Sequence, residues 1–123
     1  MLKLTTRTLA ALALLTAPAL ADQTWNITEE GLEGIKAAQG KWFLKIEGDK
    51  LSGEANLNKN AGEPLNYKIE GAKTADGYEI KLLDRTDGKN NCVWAAKTPA
   101  SKIGLTGKVS CDGKPAFIIR AGF

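Results

Sequence analysis

Two cysteines, Cys92 and Cys111, are the most reactive side chains in a 123-residue sequence that contains no histidine. A thiol can attack a carbonyl, cycle between redox states, bind a metal or form a disulfide. The first use normally needs a neighbouring imidazole, and none exists. Redox pairs usually read Cys-x-x-Cys, whereas 18 residues separate these two. Two thiolates without histidine cannot close a tetrahedral metal site. A structural Cys92–Cys111 disulfide is the remaining chemistry. The 14 acidic residues could supply the carboxylate pair of a glycosidase, but they alternate with lysines, as on a solvated, charge-balanced face. Asp84-Arg85-Thr86-Asp87-Gly88-Lys89-Asn90 is similar to a calcium loop only in composition. It lacks alternating ligands and a closing bidentate glutamate, so it reads as a polar turn. No glycine-rich phosphate loop occurs. The expectation is a protein that is not an enzyme and carries neither metal nor cofactor.

Recognition is then the chemistry to look for. Trp42, Tyr67, Tyr78, Trp94 and Phe117 fall on the inward phase of the alternating pattern and read as core. Phe43 does not, because its neighbours in phase are Lys41 and Lys45. It is a candidate partner anchor, together with the loop residues Asn58, Lys59 and Asn60. Lys41, Lys45, Lys68 and Lys81 suggest a basic stripe, but Glu47, Glu54, Glu70 and Glu79 interleave with it.

The elements that position these residues follow from period and punctuation. From Lys41 onward apolar and polar residues alternate, with turns rich in glycine between the runs. A two-residue hairpin loop at Gly48-Asp49 sets Ile46 opposite Leu51, Leu44 opposite Gly53 and Trp42 opposite Ala55. Every inward pair is then apolar, with large residues over small ones. Leu65, Tyr67 and Ile69 form the next inward series, followed by Tyr78, Ile80 and Leu82, and then by Cys92, Trp94 and Ala96. A hairpin loop at Ser101-Lys102 places Ala100 opposite Ile103 and Cys92 opposite Cys111, with Trp94 over Val109 and Ala96 over Gly107. Ile103, Leu105, Gly107, Val109 and Cys111 share the inward face. The last strand, Ala116 to Ala121, needs an odd-length connection around Asp112-Gly113 to keep Phe117 and Ile119 inside. Between Trp25 and Gln39, Leu32, Ile35 and Ala38 recur at helical spacing behind Glu29 and Glu30. This predicts a short helix or helical turn, preceded by a brief strand around Trp25, although Gly31 and Gly34 oppose it. The fold class is all-β and mainly antiparallel, a meander of about seven to eight strands. Gly53, Ala55, Ala96 and Gly107 on the inner face favour a small barrel or half-barrel.

Compartment comes from the first residues. Lys3 and Arg7 precede an apolar run from Leu9 to Leu15, then Pro18 and the small-x-small signal Ala19-Leu20-Ala21. This pattern predicts a secretory signal peptide over 1–21, cleaved after Ala21, and a single domain over 22–123. The run is too short for a membrane span, so no integral membrane anchor is expected. Cleavage leaves 15 basic against 14 acidic residues, a balance with no drive toward nucleic acid. An oxidising compartment suits the disulfide, whose loop is worth about 3 kcal/mol.

In size, export and a single disulfide the chain resembles the small exported β-barrel proteins of Gram-negative bacteria, including periplasmic inhibitors of proteases and lysozymes. Gly40-Lys41-Trp42 is similar to the Gly-x-Trp opening of lipocalin-like barrels. The expectation is a monomer, periplasmic or secreted, of a Gram-negative bacterium. The expected function is a non-catalytic binding protein of the cell envelope, with an envelope or extracellular protein as partner and hydrolase inhibition as one form of it. The alternative is a carrier that holds a small apolar ligand in a hollow barrel.

Overall fold

The computed structural model describes residues 21–123. The predicted signal peptide, 1–21, lies outside those residues except for Ala21, which opens the first strand.

Eight antiparallel strands follow one another around a closed barrel: β1 (Ala21–Glu30), β2 (Lys36–Glu47), β3 (Lys50–Lys59), β4 (Pro64–Lys73), β5 (Gly77–Leu83), β6 (Cys92–Lys97), β7 (Leu105–Cys111) and β8 (Lys114–Gly122). Each strand pairs with its sequence neighbour, and β1 closes the sheet by also pairing with β8, from Asn26↔Gly122 to Glu30↔Ile118. The expected β2–β3 register holds throughout, with Ile46↔Leu51, Leu44↔Gly53 and Trp42↔Ala55. Gly53 carries no side chain for a physical reason: a Cβ there would run into the Phe43 carbonyl oxygen.

Two local expectations are corrected. No helix forms between Trp25 and Gln39. Instead β1 runs the full length of the barrel against β2, and the turn Gly31–Ile35 joins them, closed by Gly31 N–H donating to the Ile35 carbonyl at 2.8 Å. Gly34 sits at φ 93°, a conformation that suits glycine in a tight turn and not a helix. Leu32 and Ile35 therefore lie exposed on the turn, and of the helical trio only Ala38 is buried. Second, the β6–β7 connection is longer than a two-residue hairpin. It spans 98–104, bends through Lys102 at φ 60° and Gly104 at φ 67°, and leaves Ile103 79% exposed instead of inside. The register beyond it is the expected one, Cys92↔Cys111 and Trp94↔Val109.

The odd-length requirement before the last strand is met by a bulge. Asp112 and Gly113, both at positive φ, form a two-residue loop. The pairing then steps between Ser110↔Pro115 and Val109↔Phe117, which turns Phe117 and Ile119 inward. A barrel of eight strands has an interior just wide enough to be filled by side chains. Trp25, Trp42 and Trp94 fill it: Trp25 stacks on Trp42 at 6.1 Å, and Trp42 meets Trp94 edge-on at 5.3 Å. All three are essentially without solvent contact.

Candidate functional site

The barrel has two ends. The upper end carries the β1–β2, β3–β4, β5–β6 and β7–β8 turns; the lower end carries the other three connections and Phe123. The upper end holds a buried charge cluster. Trp25, Ile27 and Glu29 share the inward phase of β1, so the alternation itself delivers Glu29 into the barrel, where it is 3% exposed. This corrects the expectation that the acids lie on outer faces and turns. Arg85 arrives from the opposite side. Asp84 adopts φ 54° just after β5, which resets the alternation so that Asp84 is exposed and Arg85 turns inward. The segment is then tied to β4, with Asn66 N–H donating to Thr86 Oγ1 and Thr86 N–H to the Asn66 carbonyl, both at 3.0 Å.

Arg85 grips both carboxylates. Nη1 and Nη2 donate to Glu29 at 3.0 and 2.9 Å, while Nε and Nη2 donate to Asp87 at 3.1 and 2.8 Å. Its guanidinium lies 4.6 Å from the ring centres of both Tyr67 and Phe117. The chain of bonds continues as Trp42 Nε1 donates to the Tyr67 hydroxyl at 3.0 Å and that hydroxyl donates to Glu29 at 2.6 Å. Burial pushes the Asp87 carboxyl up, but the bonds from Arg85 and from Lys89 N–H override it and hold it well below the usual carboxylate range. Burial also lowers Arg85, and Glu29 and Asp87 more than restore it, so it stays charged. Burial, then the adjacent Glu29, push the Tyr67 hydroxyl well above its ordinary value. The carboxylates accept bonds from Arg85, Tyr67 and Lys89 on both oxygens, an arrangement that anchors the β5–β6 segment in the barrel mouth.

Above this plug stands the rim. Leu32 is 48% and Ile35 66% exposed on the β1–β2 turn. Asn60 joins this hairpin to the next one: its side-chain amide donates to the Lys36 carbonyl at 2.6 Å and its N–H to the Ala37 carbonyl at 3.2 Å. Asn58 and Lys59 are the last residues of β3 instead of loop residues, and only Asn60 belongs to the turn. A cavity of about 250 Å³ opens here, lined by Glu29, Lys59, Arg85, Asp87, Lys89 and Phe117 among others. Phe43 lies elsewhere. It projects from the outer wall, 47% exposed, opposite Glu54. Asn58 lies four positions beyond Glu54, about 13 Å along the strand, so the structure does not bring Phe43 to the Asn58–Asn60 rim. The lysine stripe is likewise broken, since Lys45, Ser52, Glu70 and Lys81 form one cross-strand row.

Cys92 and Cys111 are bonded directly across β6 and β7. Sequence reasoning missed Glu29, Arg85, Asp87, Leu32 and Ile35. A signal existed for Arg85: among 14 lysines and three arginines, an arginine flanked by Asp84 and Asp87 marks the planar, bidentate grip that lysine cannot supply. Comparisons with family models, with curated proteins and with solved structures gave no match, so the rim and its charged plug are read from their own chemistry.

Proposed function

We propose that the protein is an exported, non-catalytic binding protein of the cell envelope that engages a protein partner through the upper rim. The observation that carries this reading is the pairing of a filled barrel axis with the exposed apolar pair Leu32 and Ile35 on a hydrogen-bonded turn. A carrier of an apolar ligand would need the volume that Trp25, Trp42 and Trp94 occupy. A rigid turn that presents aliphatic side chains, backed by a locked plug, loses little conformational freedom on docking. The disulfide supports an oxidising compartment. The outer wall supports a protein in water, because Lys45, Glu54, Lys68, Glu70 and Lys81 point outward where a membrane barrel presents an apolar band. Inhibition of a hydrolase is one form this binding takes, with the apolar turn seated in the enzyme's cleft.

Affinity capture from envelope extract tests the proposal in three arms: the natural protein, Leu32→Ser with Ile35→Ser, and Phe43→Ala. A single partner lost in the second arm and kept in the third places recognition on the rim. Loss in the third arm alone moves it to the outer wall. Co-purification of a lipid or pigment with no protein favours the carrier, and sustained turnover of a peptide or peptidoglycan substrate overturns a non-catalytic role.

A further inference from the structure

The lower end of the barrel is built differently from a sealed core. Along β1, β4 and β8 the inward phase runs on past Trp25, Gly71 and Ala121 to Gln23, Lys73 and Phe123. These residues, with Tyr78 opposite Lys73, surround a cleft of about 640 Å³ whose far wall is the 98–104 connection. The volume lies within the range of small-molecule sites, about 300–1,000 Å³.

Its floor is aromatic. The rings of Phe123 and Tyr78 lie 4.8 and 5.8 Å from that of Trp25. Phe123 is tilted against Trp25 and remains 70% exposed, so most of its ring is open to solvent. The cleft's polar lining includes three donors, the Gln23 amide, Lys73 and Lys102, and one acid, Asp76. Trp25 Nε1 donates to Gln23 Oε1 at 2.9 Å, which commits the amide oxygen and leaves the amide N–H groups for another partner. Lys73 and Lys102 take part in no ion pair among the described residues, whereas Asp76, the acid at this mouth, faces Lys97 at 3.9 Å. Lys102 is held at φ 60° by a turn in which its N–H donates to the Pro99 carbonyl at 2.9 Å. Beside it Gly104 lies so close to the Ala121 carbonyl that no side chain could stand there. The wall that carries Lys102 is thus seated directly on the end of β8.

We propose that this lower cleft binds a small aromatic anion, its ring stacked against Phe123 and Tyr78 and its acid group met by Lys73, Lys102 and the Gln23 amide. Aromatic faces supply the apolar contact, and the two ammonium groups, which outnumber the one acid of the cleft, Asp76, select the charge. The site is separate from the upper rim and does not depend on the partner proposed there.

The test titrates the purified protein with 8-anilinonaphthalene-1-sulfonate and, in parallel, with its uncharged analogue N-phenyl-1-naphthylamine, followed by fluorescence and calorimetry. One saturable site per chain is expected for the sulfonate, with much weaker binding of the neutral compound. Lys73→Ala and Lys102→Ala each weaken the sulfonate about threefold, and Phe123→Ala about fivefold. Phe43→Ala, on the outer wall, leaves it unchanged. These side chains are exposed, and a partly unfolded variant would bind more dye instead of less, so weakening is not a folding artefact. Non-saturable binding, equal affinity for the neutral analogue, or an equal loss in Phe43→Ala would overturn the proposal.

Discussion

Replacing Arg85 with alanine is expected to be the most destabilising single truncation at the upper end. The substitution deletes two hydrogen bonds to Glu29 and two to Asp87. It also opens the space between the Tyr67 and Phe117 rings. The larger effect is what remains: Glu29, 3% exposed, loses its cation and both guanidinium bonds and is left with the Tyr67 hydroxyl as its hydrogen-bond partner. Removing one partner of a buried ion pair typically costs about 3–5 kcal/mol, a large share of the roughly 5–15 kcal/mol that holds a small domain together. At about 4–8 °C per kcal/mol for a domain of this size, the midpoint of thermal unfolding falls by at least about 12 °C. Urea unfolding followed by the fluorescence of the three core tryptophans measures it. Adding Glu29→Gln should restore part of the loss, because a neutral amide replaces the acid left without its partner, giving a coupling of about 1–3 kcal/mol in the double-mutant cycle. A cost below about 1 kcal/mol for Arg85→Ala, or strict additivity with Glu29→Gln, would refute the view that this cluster anchors the mouth.

Stability should be flat from about pH 5 to 9, since the chain contains no histidine to titrate there. Asp87 has a depressed folded-state value, so its contribution is present above the ordinary carboxylate range, near pH 4, and fades as pH falls further. Tyr67 has a raised value, so its contribution is complete below about pH 10 and lost above it; urea midpoints across pH test both limbs. Reducing Cys92–Cys111 should cost about 3 kcal/mol without dissolving the barrel, as read from urea midpoints and far-ultraviolet circular dichroism with and without reductant. Gly107→Ala should cost about 1–3 kcal/mol by overpacking, because its Cβ would run into the Ala95 carbonyl and crowd the Trp94 indole, which donates to the Gly107 carbonyl at 3.1 Å. A thermal midpoint unchanged by that substitution would show that the backbone has room to give.

Much of the barrel was legible because a period of two leaves little freedom. Once Gly48-Asp49 is a two-residue loop, Trp42 must meet Ala55; Cys92 meets Cys111 as expected, although the connection between their strands is longer than the two-residue loop from which that register was argued. Phe43 was correctly placed outside for the same reason. Parity carries no information where the chain leaves the sheet. Leu32, Ile35 and Ala38 have the spacing of a buried helical face, and only a competing pattern, Trp25-Ile27-Glu29, says that the strand continues until Gly31 stops it. Arg85 was hidden because a single residue at φ 54°, Asp84, inverts the phase. The partnership of Glu29 with Arg85 was not readable at all, since they lie 56 positions apart and each looks like an ordinary surface charge.

The seam between β1 and β8 sets an order of events during folding. The seven hairpins of the meander each close over a short connection, but the seam joins positions 90 residues apart, as in the Glu30–Arg120 contact. Loop-closure entropy grows as (3/2)RT ln n, so drawing the seam together costs about 3 kcal/mol more than closing a four-residue turn. Closure of the ring is therefore expected to follow pairing along the meander, and until it closes the margins of β1 and β8 are the unpaired edges through which two chains could join. Cys92 and Cys111 sit within one hairpin and away from the seam. Oxidation can thus come before the ring closes, and the disulfide guards the β6–β7 hairpin during the interval when the ends of the sheet are still searching for each other.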